Sequence, residues 1–113
     1  MQPIQVTVIG TGSSTAFLPD YMQNPFNISI ACVLNTAVAT FNVQHCFDFR
    51  TAYLPTWDGS TNVTWFNNSG ITSATANISG NYAFPVAAIR LQVSNAVATT
   101  LVTMNITQAS NAP

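Results

Sequence analysis

The segment "FNISIACVLNTAVATFNVQHCFDF", residues 26–49, contains two runs in which apolar and polar side chains alternate. Such alternation is typical of β-strands that bury one face. The apolar positions are Phe26, Ile28, Ile30, Cys32 and Leu34 in the first run, and Ala39, Phe41, Val43, His45 and Phe47 in the second. Between the runs, Asn35-Thr36 is a plausible tight turn, so we expect the two strands to form a hairpin.

The same alternation recurs along the rest of the chain. Further strands are predicted at 3–9, 62–66, 71–78, 83–93 and 97–108. They are separated by a break at "GTGSST" (10–15), a long loop at 50–61, and turns at "NNSG" (67–70) and "SGN" (79–81). The sequence therefore predicts a single all-β domain over 1–113, an antiparallel β-sandwich or jelly roll of about eight short strands.

Charged residues are rare, at 4% of the chain against a usual fraction of about a quarter. The groups that can carry charge near neutral pH are Asp20, His45, Asp48, Arg50, Asp58 and Arg90, and the net charge is -1. Binding a phosphate backbone requires several basic residues acting together, so we expect no nucleic-acid partner. A neutral surface favours a chain that packs against neighbouring proteins or carries sugars.

The opening "MQPIQVTVIG" has neither the basic segment nor the apolar run of a signal peptide, and no run approaches a membrane span. We therefore expect neither secretion by that route nor a membrane anchor. Five Asn-x-Ser/Thr sequons begin at Asn27, Asn62, Asn67, Asn77 and Asn105. They leave a secreted glycoprotein open as an alternative, although a chain this rich in Asn, Ser and Thr generates sequons by chance.

The two cysteines are not expected to form a disulfide. Cys32 lies on an apolar strand face and Cys46 on a polar one, and the predicted hairpin register places Cys32 opposite Ala39. A bridge requires two cysteines on the same face and close together. Two independent thiols are the better interpretation, with Cys32 as a small core residue.

No arrangement of residues predicts an active site, a metal site or a cofactor. His45 is the single histidine, and its place on an apolar face indicates a core or edge residue with a hydrogen-bond partner. The neighbouring Cys46 points to the opposite face, which excludes a local dyad. The chain has no Glu, and Asp20, Asp48 and Asp58 are scattered, so paired carboxylates for glycoside hydrolysis are poorly supported.

Aromatic residues concentrate in and near the long loop. They are Tyr53, Trp57, Trp65 and Phe66. A small satellite core beneath the loop is the simplest interpretation. The alternatives are an anchor for a partner protein, since Trp and Tyr dominate interface hot spots, and a platform on which a sugar stacks.

Arg90 is set into the apolar strand "AFPVAAIRLQV" on the face opposite Ile89 and Leu91. A guanidinium there can lay its stem over Ala88 and fork onto a carboxylate, with Asp48 as the favoured partner within the chain. A structural cross-strand pair and a contact between subunits are both open.

The chain resembles a group of small β-rich proteins of tailed bacteriophages over about residues 26–110. In that group a strand ends in a Val-x-His-Thr-x-Asp-like motif, and "VQHCFDF" supplies Val43, His45 and Asp48, with Cys46 where Thr is usual. Phe49 stands where a second acidic residue often follows. The segment "TWFNNSG", the strand "PVAAIRL" and the closing Val/Thr-rich strand correspond to the group's remaining motifs.

The resemblance implies a virion structural protein. We expect a capsid cement or decoration protein that binds the outside of the head and stabilises the shell. Its partners would be the major capsid protein and copies of itself, as a dimer or trimer, with no small-molecule substrate, no enzymatic activity and no membrane. It would be made in the host bacterial cytoplasm, where both thiols stay reduced. The alternative is a tail, collar or head-fibre component with a receptor- or carbohydrate-binding role.

Overall fold

The computed structural model describes residues 4–19, 27–35, 38–58 and 62–108, and these form an all-β sandwich. The strands are β1 (Ile4–Ile9), β2 (Gly12–Ser13), β3 (Ile28–Leu34), β4 (Thr40–Cys46), β5 (Phe66–Asn67), β6 (Ile78–Tyr82), β7 (Ala88–Ser94) and β8 (Leu101–Gln108). One short helix, α1 (Phe49–Ala52), follows β4. The predicted fold class is confirmed.

Two four-stranded antiparallel sheets make up the sandwich. Sheet I has the order β1-β8-β3-β6, and sheet II has the order β2-β7-β4-β5. The first strand pairs with the last, β2 pairs with β7, β3 with β6 and β4 with β5, as in a long hairpin rolled into two layers. The pairs β3–β8 and β4–β7 then complete the two sheets, which gives jelly-roll topology.

The predicted hairpin across Asn35-Thr36 is wrong, because β3 and β4 belong to different sheets. Cys32 faces Met104 on β8 and Ile78 on β6, not Ala39. The backbone N–H of Asn35 donates to the Leu101 carbonyl, and its side chain donates to Thr99. The link therefore crosses the sandwich, so that the apolar faces of β3 and β4 meet in the core; Thr36 lies outside the described residues.

The main core fills the space between the sheets. Its largest fully buried side chains include Tyr82, Phe41, Ile28, Ile30, Ile71, Ile89, Leu91, Met104 and Ile106. Most come from alternate positions of strands, as the period of two predicts. Cys32 is buried among them, and both cysteines are free thiols, which confirms the predictions for Cys32 and for the absence of a bridge.

Several predicted boundaries are corrected. The break at 10–15 contains β2, and the loop at 50–61 begins within α1. The turn predicted at 79–81 lies inside β6, while 71–77 contributes only an isolated bridge between Ala74 and Phe41. Gly80 suits its strand because a Cβ there would come 3.0 Å from Cδ1 of Ile71, so glycine leaves room for that buried side chain.

A second, smaller cluster covers part of the outer face of sheet II. It buries Cys46, Ala52, Ala87 and Ala88, with Trp57, Trp65 and Phe49 packed against them. Cys46 lies, as predicted, on the same face of β4 as Asn42 and Gln44, but it is fully buried because this cluster covers that part of the face. The predicted satellite core beneath the loop is confirmed for the two tryptophans. In the described residues, no helix has the length and hydropathy needed to cross a bilayer.

Candidate functional site

The residues selected from the sequence fall into two regions of the sandwich. Arg90, Asp48, Tyr53, Trp57 and Trp65 lie on or near the outer side of sheet II, around α1 and the second cluster. His45 lies at the opposite side of β4, where its ring meets a group of aromatic side chains. The structure therefore separates His45 from the other candidates.

Arg90 is partly buried and bonds to neutral partners. Its Nε donates to Oε1 of Gln44, its cross-strand neighbour, at 2.8 Å, and its guanidinium carbon lies 4.3 Å from the centroid of a Trp65 ring. Desolvation lowers the pKa of Arg90. The predicted pairing with Asp48 is wrong, because that carboxylate accepts a hydrogen bond from the Thr64 backbone N–H.

The tryptophans complete this side of the molecule. The Trp57 and Trp65 rings are stacked with centroids 6.4 Å apart. Beside them, a cavity of about 570 Å³ is lined by Ser13, Ser14, Thr15, Ala16, Leu18, Ala52, Trp57, Asp58 and Arg90. Tyr53 is partly exposed after α1, and its hydroxyl donates to the Pro19 carbonyl, which ties the end of the helix to the segment after β2.

His45 is the centre of an aromatic cluster that the sequence did not reveal. Its ring centroid lies 5.0 Å from Tyr82, 5.2 Å from Phe47, 5.8 Å from Phe84 and 6.1 Å from Phe66. The three phenylalanines are each between 44% and 48% exposed. We call His45, Phe47, Phe66, Tyr82 and Phe84 the aromatic end of the sandwich. The assignment of Phe66 to the tryptophan cluster is therefore wrong.

Local sequence did hold a signal for this cluster. In "HCFDF" and "NYAFP", aromatic or imidazole rings stand two residues apart, which places them on one side of an extended chain. The missing information was that β4, β5 and the chain after β6 converge. Because β4 and β6 lie in different sheets, no pattern within either segment predicts their contact.

His45 is hydrogen-bonded as its position predicted. Its Nδ1 lies 2.8 Å from the Tyr82 hydroxyl, and both side chains are buried. Burial lowers the pKa of His45, so the ring is neutral at physiological pH. Desolvation raises the pKa of Tyr82, and a hydrogen bond from Asn68 opposes this shift. The hydroxyl donates to Nδ1 in one imidazole tautomer and accepts from it in the other, and in both cases the bond fixes the orientation of the ring.

A cavity of about 360 Å³ opens beside the aromatic end, between the edge strands β5 of sheet II and β6 of sheet I. We call it the edge cavity. Its lining residues are His45, Asn67, Asn68, Ser69, Gly70, Gly80, Asn81 and Phe84. No fully buried side-chain nitrogen or oxygen in the described chain lacks a partner, and His45 Nε2 has none, so Nε2 is accessible to solvent.

The other end of the sandwich exposes aliphatic side chains. Val38 is 75% exposed and Ile9 70% exposed, and Val97 and Leu101 are also exposed. All four adjoin Thr100, whose hydroxyl donates to the Val38 carbonyl and accepts from the Val97 N–H, while its carbonyl accepts from Gly10. Ile9 and Leu101 are cross-strand neighbours. We call Ile9, Val38, Val97 and Leu101 the aliphatic end.

The ends are opposite because the strands run between them. For example, β8 begins with Leu101 at the aliphatic end and finishes at Gln108, opposite Ile28, whose other neighbour is Tyr82 of the aromatic end. The outward face of sheet I carries no charged residue among those described. It presents mainly polar side chains such as Thr7, Thr103 and Asn105, together with Val33, which is 46% exposed.

Metal and redox chemistry find little support in the described ranges. These residues contain no group of three or more His, Cys, Asp or Glu side chains that could hold a metal ion. Burial raises the pKa of Cys32 to about 12 and also raises that of Cys46, so both thiols are poor nucleophiles at neutral pH.

No protein-family model, curated protein or solved structure matches the chain.

Proposed function

We propose that the chain is a cement protein of a tailed bacteriophage that docks on the outside of the head shell through its aliphatic end. The observation that carries the proposal is the exposure of Ile9, Val38, Val97 and Leu101 together at one end of a nearly uncharged molecule. Soluble proteins rarely leave contiguous apolar residues uncovered unless a partner covers them.

The polar groups at the aliphatic end favour protein contact. The Thr100 hydroxyl and the Val38 carbonyl bond to each other, and the Asn35 side chain is bonded to Thr99. These groups already have partners, so a flat apolar surface can cover them at small desolvation cost. Shell proteins and sister copies, arranged as dimers or trimers, are the partners that this surface would fit.

Fold, charge and sequence resemblance add independent support. Jelly rolls are common among viral capsid domains, although a fold alone does not determine function. A surface with few charges can be buried on a symmetric shell without the cost of desolvating ions. The phage-like segments at 43–48 and 85–91 lie on or beside β4 and β7, which pair at the centre of sheet II.

The test is the thermal stability of purified particles made with and without this protein. Particles that lack it should release DNA at a lower temperature, and adding back the purified chain should restore them. Val38→Asp and Val97→Asp should each abolish the restoration, since an aspartate would be desolvated in the contact. Leu54→Asp is the matched control, because Leu54 is exposed to the same degree as Val97 but adjoins α1.

The second candidate function is that of a receptor-binding component of the tail, collar or head fibres. The edge cavity favours it, because a receptor-binding protein needs a ligand site. The copy number in purified particles separates the two. A copy at each repeated position of the shell supports cement, whereas a small fixed number at one vertex would overturn it. The cement proposal would also be overturned if removal of the protein left the stability of the particles unchanged.

A further inference from the structure

The edge cavity is built from two sheet edges that approach each other. Asn67 lies on β5, Asn81 lies on β6, and Asn68 joins them, since its Nδ2 donates to the Asn81 carbonyl and its Oδ1 accepts from the Gly70 N–H. The floor is firm because the fully buried Ile71 packs against Gly80. The cavity wall is therefore tied to the core through Ile71 and to β6 through Asn68.

Several polar atoms in the cavity are available to a ligand. Among the described residues, His45 Nε2 and the Ser69 hydroxyl have no partner. His45 is 6% exposed and lines the cavity. A neutral imidazole has one donor and one acceptor nitrogen, and a hydroxyl can both donate and accept, so these groups can bond to a ligand hydroxyl.

The lining residues are uncharged, which restricts the ligand class. Neither a carboxylate, a phosphate nor an ammonium group would find an opposite charge among them, and each would lose hydration on entry. A hydroxyl group, by contrast, can donate and accept at the same time and so matches amides, a serine and an imidazole. The polar groups of the cavity therefore fit a neutral molecule that carries several hydroxyls.

An aromatic ring borders these polar groups. Phe84 lines the cavity and is 47% exposed, and its ring packs against His45 and Tyr82, which fix its position. A preorganised ring of this kind offers an apolar surface to the C–H groups of a ligand while the amides engage its hydroxyls. Neutral pyranose sugars combine one apolar face with a rim of hydroxyls.

We propose that the edge cavity binds a neutral saccharide, with the pyranose stacked on Phe84 and its hydroxyls bonded to His45 and Ser69. This goes beyond the cement function. Because the aromatic end lies opposite the aliphatic end, a chain docked by its aliphatic residues would present the cavity to the medium. The decoration would then give the particle many weak sugar contacts, whose combined avidity exceeds that of one site.

The first experiment is saturation-transfer NMR on the full chain with methyl glycosides of glucose, galactose, mannose and N-acetylglucosamine, and with glucuronate as a charged comparison. At least one neutral glycoside should receive saturation from aromatic protons, with chemical-shift changes at His45 and Asn81, and glucuronate should bind more weakly. Affinity electrophoresis in gels containing neutral polysaccharides separates a polymer ligand from a free sugar, because retardation without glycoside binding indicates the polymer.

Matched variants decide whether the cavity is responsible. Phe84→Ala and Ser69→Ala should each weaken binding by about tenfold, the equivalent of roughly 1.4 kcal/mol. Phe47→Ala removes an equally exposed ring of the aromatic end that does not line the cavity, and should leave the affinity within about twofold. Thermal unfolding of each variant confirms that it is folded.

Two results would overturn the inference: no neutral saccharide bound in either format, or binding that Phe47→Ala reduces as much as Phe84→Ala. Neither result affects the cement proposal, which is tested through Val38 and Val97 at the other end. Conversely, the chain could bind a sugar and yet fail to stabilise particles. That result would support the saccharide site and would favour a role in the tail or a head fibre.

Discussion

The two ends of the jelly roll expose similar apolar residues but differ in the polar groups between them. At the aliphatic end, the Thr100 hydroxyl and the Asn35 side chain have partners within the chain. At the aromatic end and its edge cavity, His45 Nε2 and the Ser69 hydroxyl remain available among the described residues. Satisfied polar groups favour broad, non-directional contact with a protein, whereas available ones favour directional recognition of a small polar ligand.

The ends also differ in how their exposed residues are anchored. Ile9 and Val38 leave most of their surface exposed, while Phe47, Phe66 and Phe84 pack against the buried His45. Exposure alone therefore does not distinguish a residue that serves the fold from one that serves a partner. Substitutions that separate stability from binding can make this distinction.

The largest expected effect lies beneath the edge cavity. Ile71→Ala should lower the free energy of unfolding by about 2–5 kcal/mol, because Ile71 is fully buried and its loss leaves a void. Ile9→Ala at the aliphatic end should cost about 0.5 kcal/mol or less, since that side chain is mostly exposed. Urea unfolding monitored by tryptophan fluorescence measures both. Equal costs would show that Ile9 is part of the fold and weaken its assignment as a contact residue.

A second pair of substitutions compares the polar anchor of each end. Tyr82→Phe leaves His45 Nδ1 without its partner, and Thr100→Val leaves the Val38 carbonyl and the Val97 N–H without theirs. Each should cost about 1–3 kcal/mol, because the affected groups are buried or partly buried. Thermal unfolding checks the values. A neutral result for Tyr82→Phe would contradict the role of the Tyr82 hydrogen bond in fixing the His45 ring.

Arg90 lies on the outer side of sheet II, and its substitution tests a contact that belongs to neither end of the sandwich. Arg90→Met should cost about 1 kcal/mol through loss of the Gln44 hydrogen bond and of the contact with Trp65. Arg50→Met is the control, because Arg50 is exposed in α1, and its cost should be about 0.5 kcal/mol or less. If Arg90→Met leaves stability unchanged but disrupts oligomers, Arg90 acts between subunits, as the sequence left open.

The smallest effect is a pH dependence that only the aromatic end should show. Burial lowers the pKa of His45 below its ordinary value of about 6.5, and the rings that face it, Phe47, Phe66, Tyr82 and Phe84, carry no charge at these pH values. As the pH falls, the unfolded chain therefore binds the proton before the folded chain does. The free energy of unfolding is constant above the unfolded-state pKa of about 6.5, and it decreases between that pKa and the lower folded-state pKa.

Unfolding in urea across this pH range measures the slope. His45 is the single histidine, so His45→Asn, which can keep a hydrogen bond to Tyr82, should flatten the profile. Thr100→Val should leave the slope unchanged, since it affects the aliphatic end. A slope that persists in His45→Asn would mean that another group titrates, and that the neutral state assigned to His45 is wrong.

Much of the fold could be predicted because strand alternation is a local property. The apolar positions of β3, β4 and β7 are recovered from the period of two, as are the burial of His45 and the outward position of Arg90. The predictions failed where the partner of a strand mattered. An alternating strand fits the hairpin at Asn35-Thr36 and the crossing between sheets equally well, because both bury the same face.

Chain composition and strand periodicity thus determined that this protein is a nearly uncharged β-sandwich with one buried face on each strand. Only the tertiary structure decided which strands pair, that Arg90 meets Gln44 and Trp65, and that Cys46 lies beneath α1. It also brought β5 and β6 together beside His45, which made the edge cavity. The physical reason is that alternation specifies the face that a strand buries, whereas its neighbours are selected by packing between segments far apart in the chain.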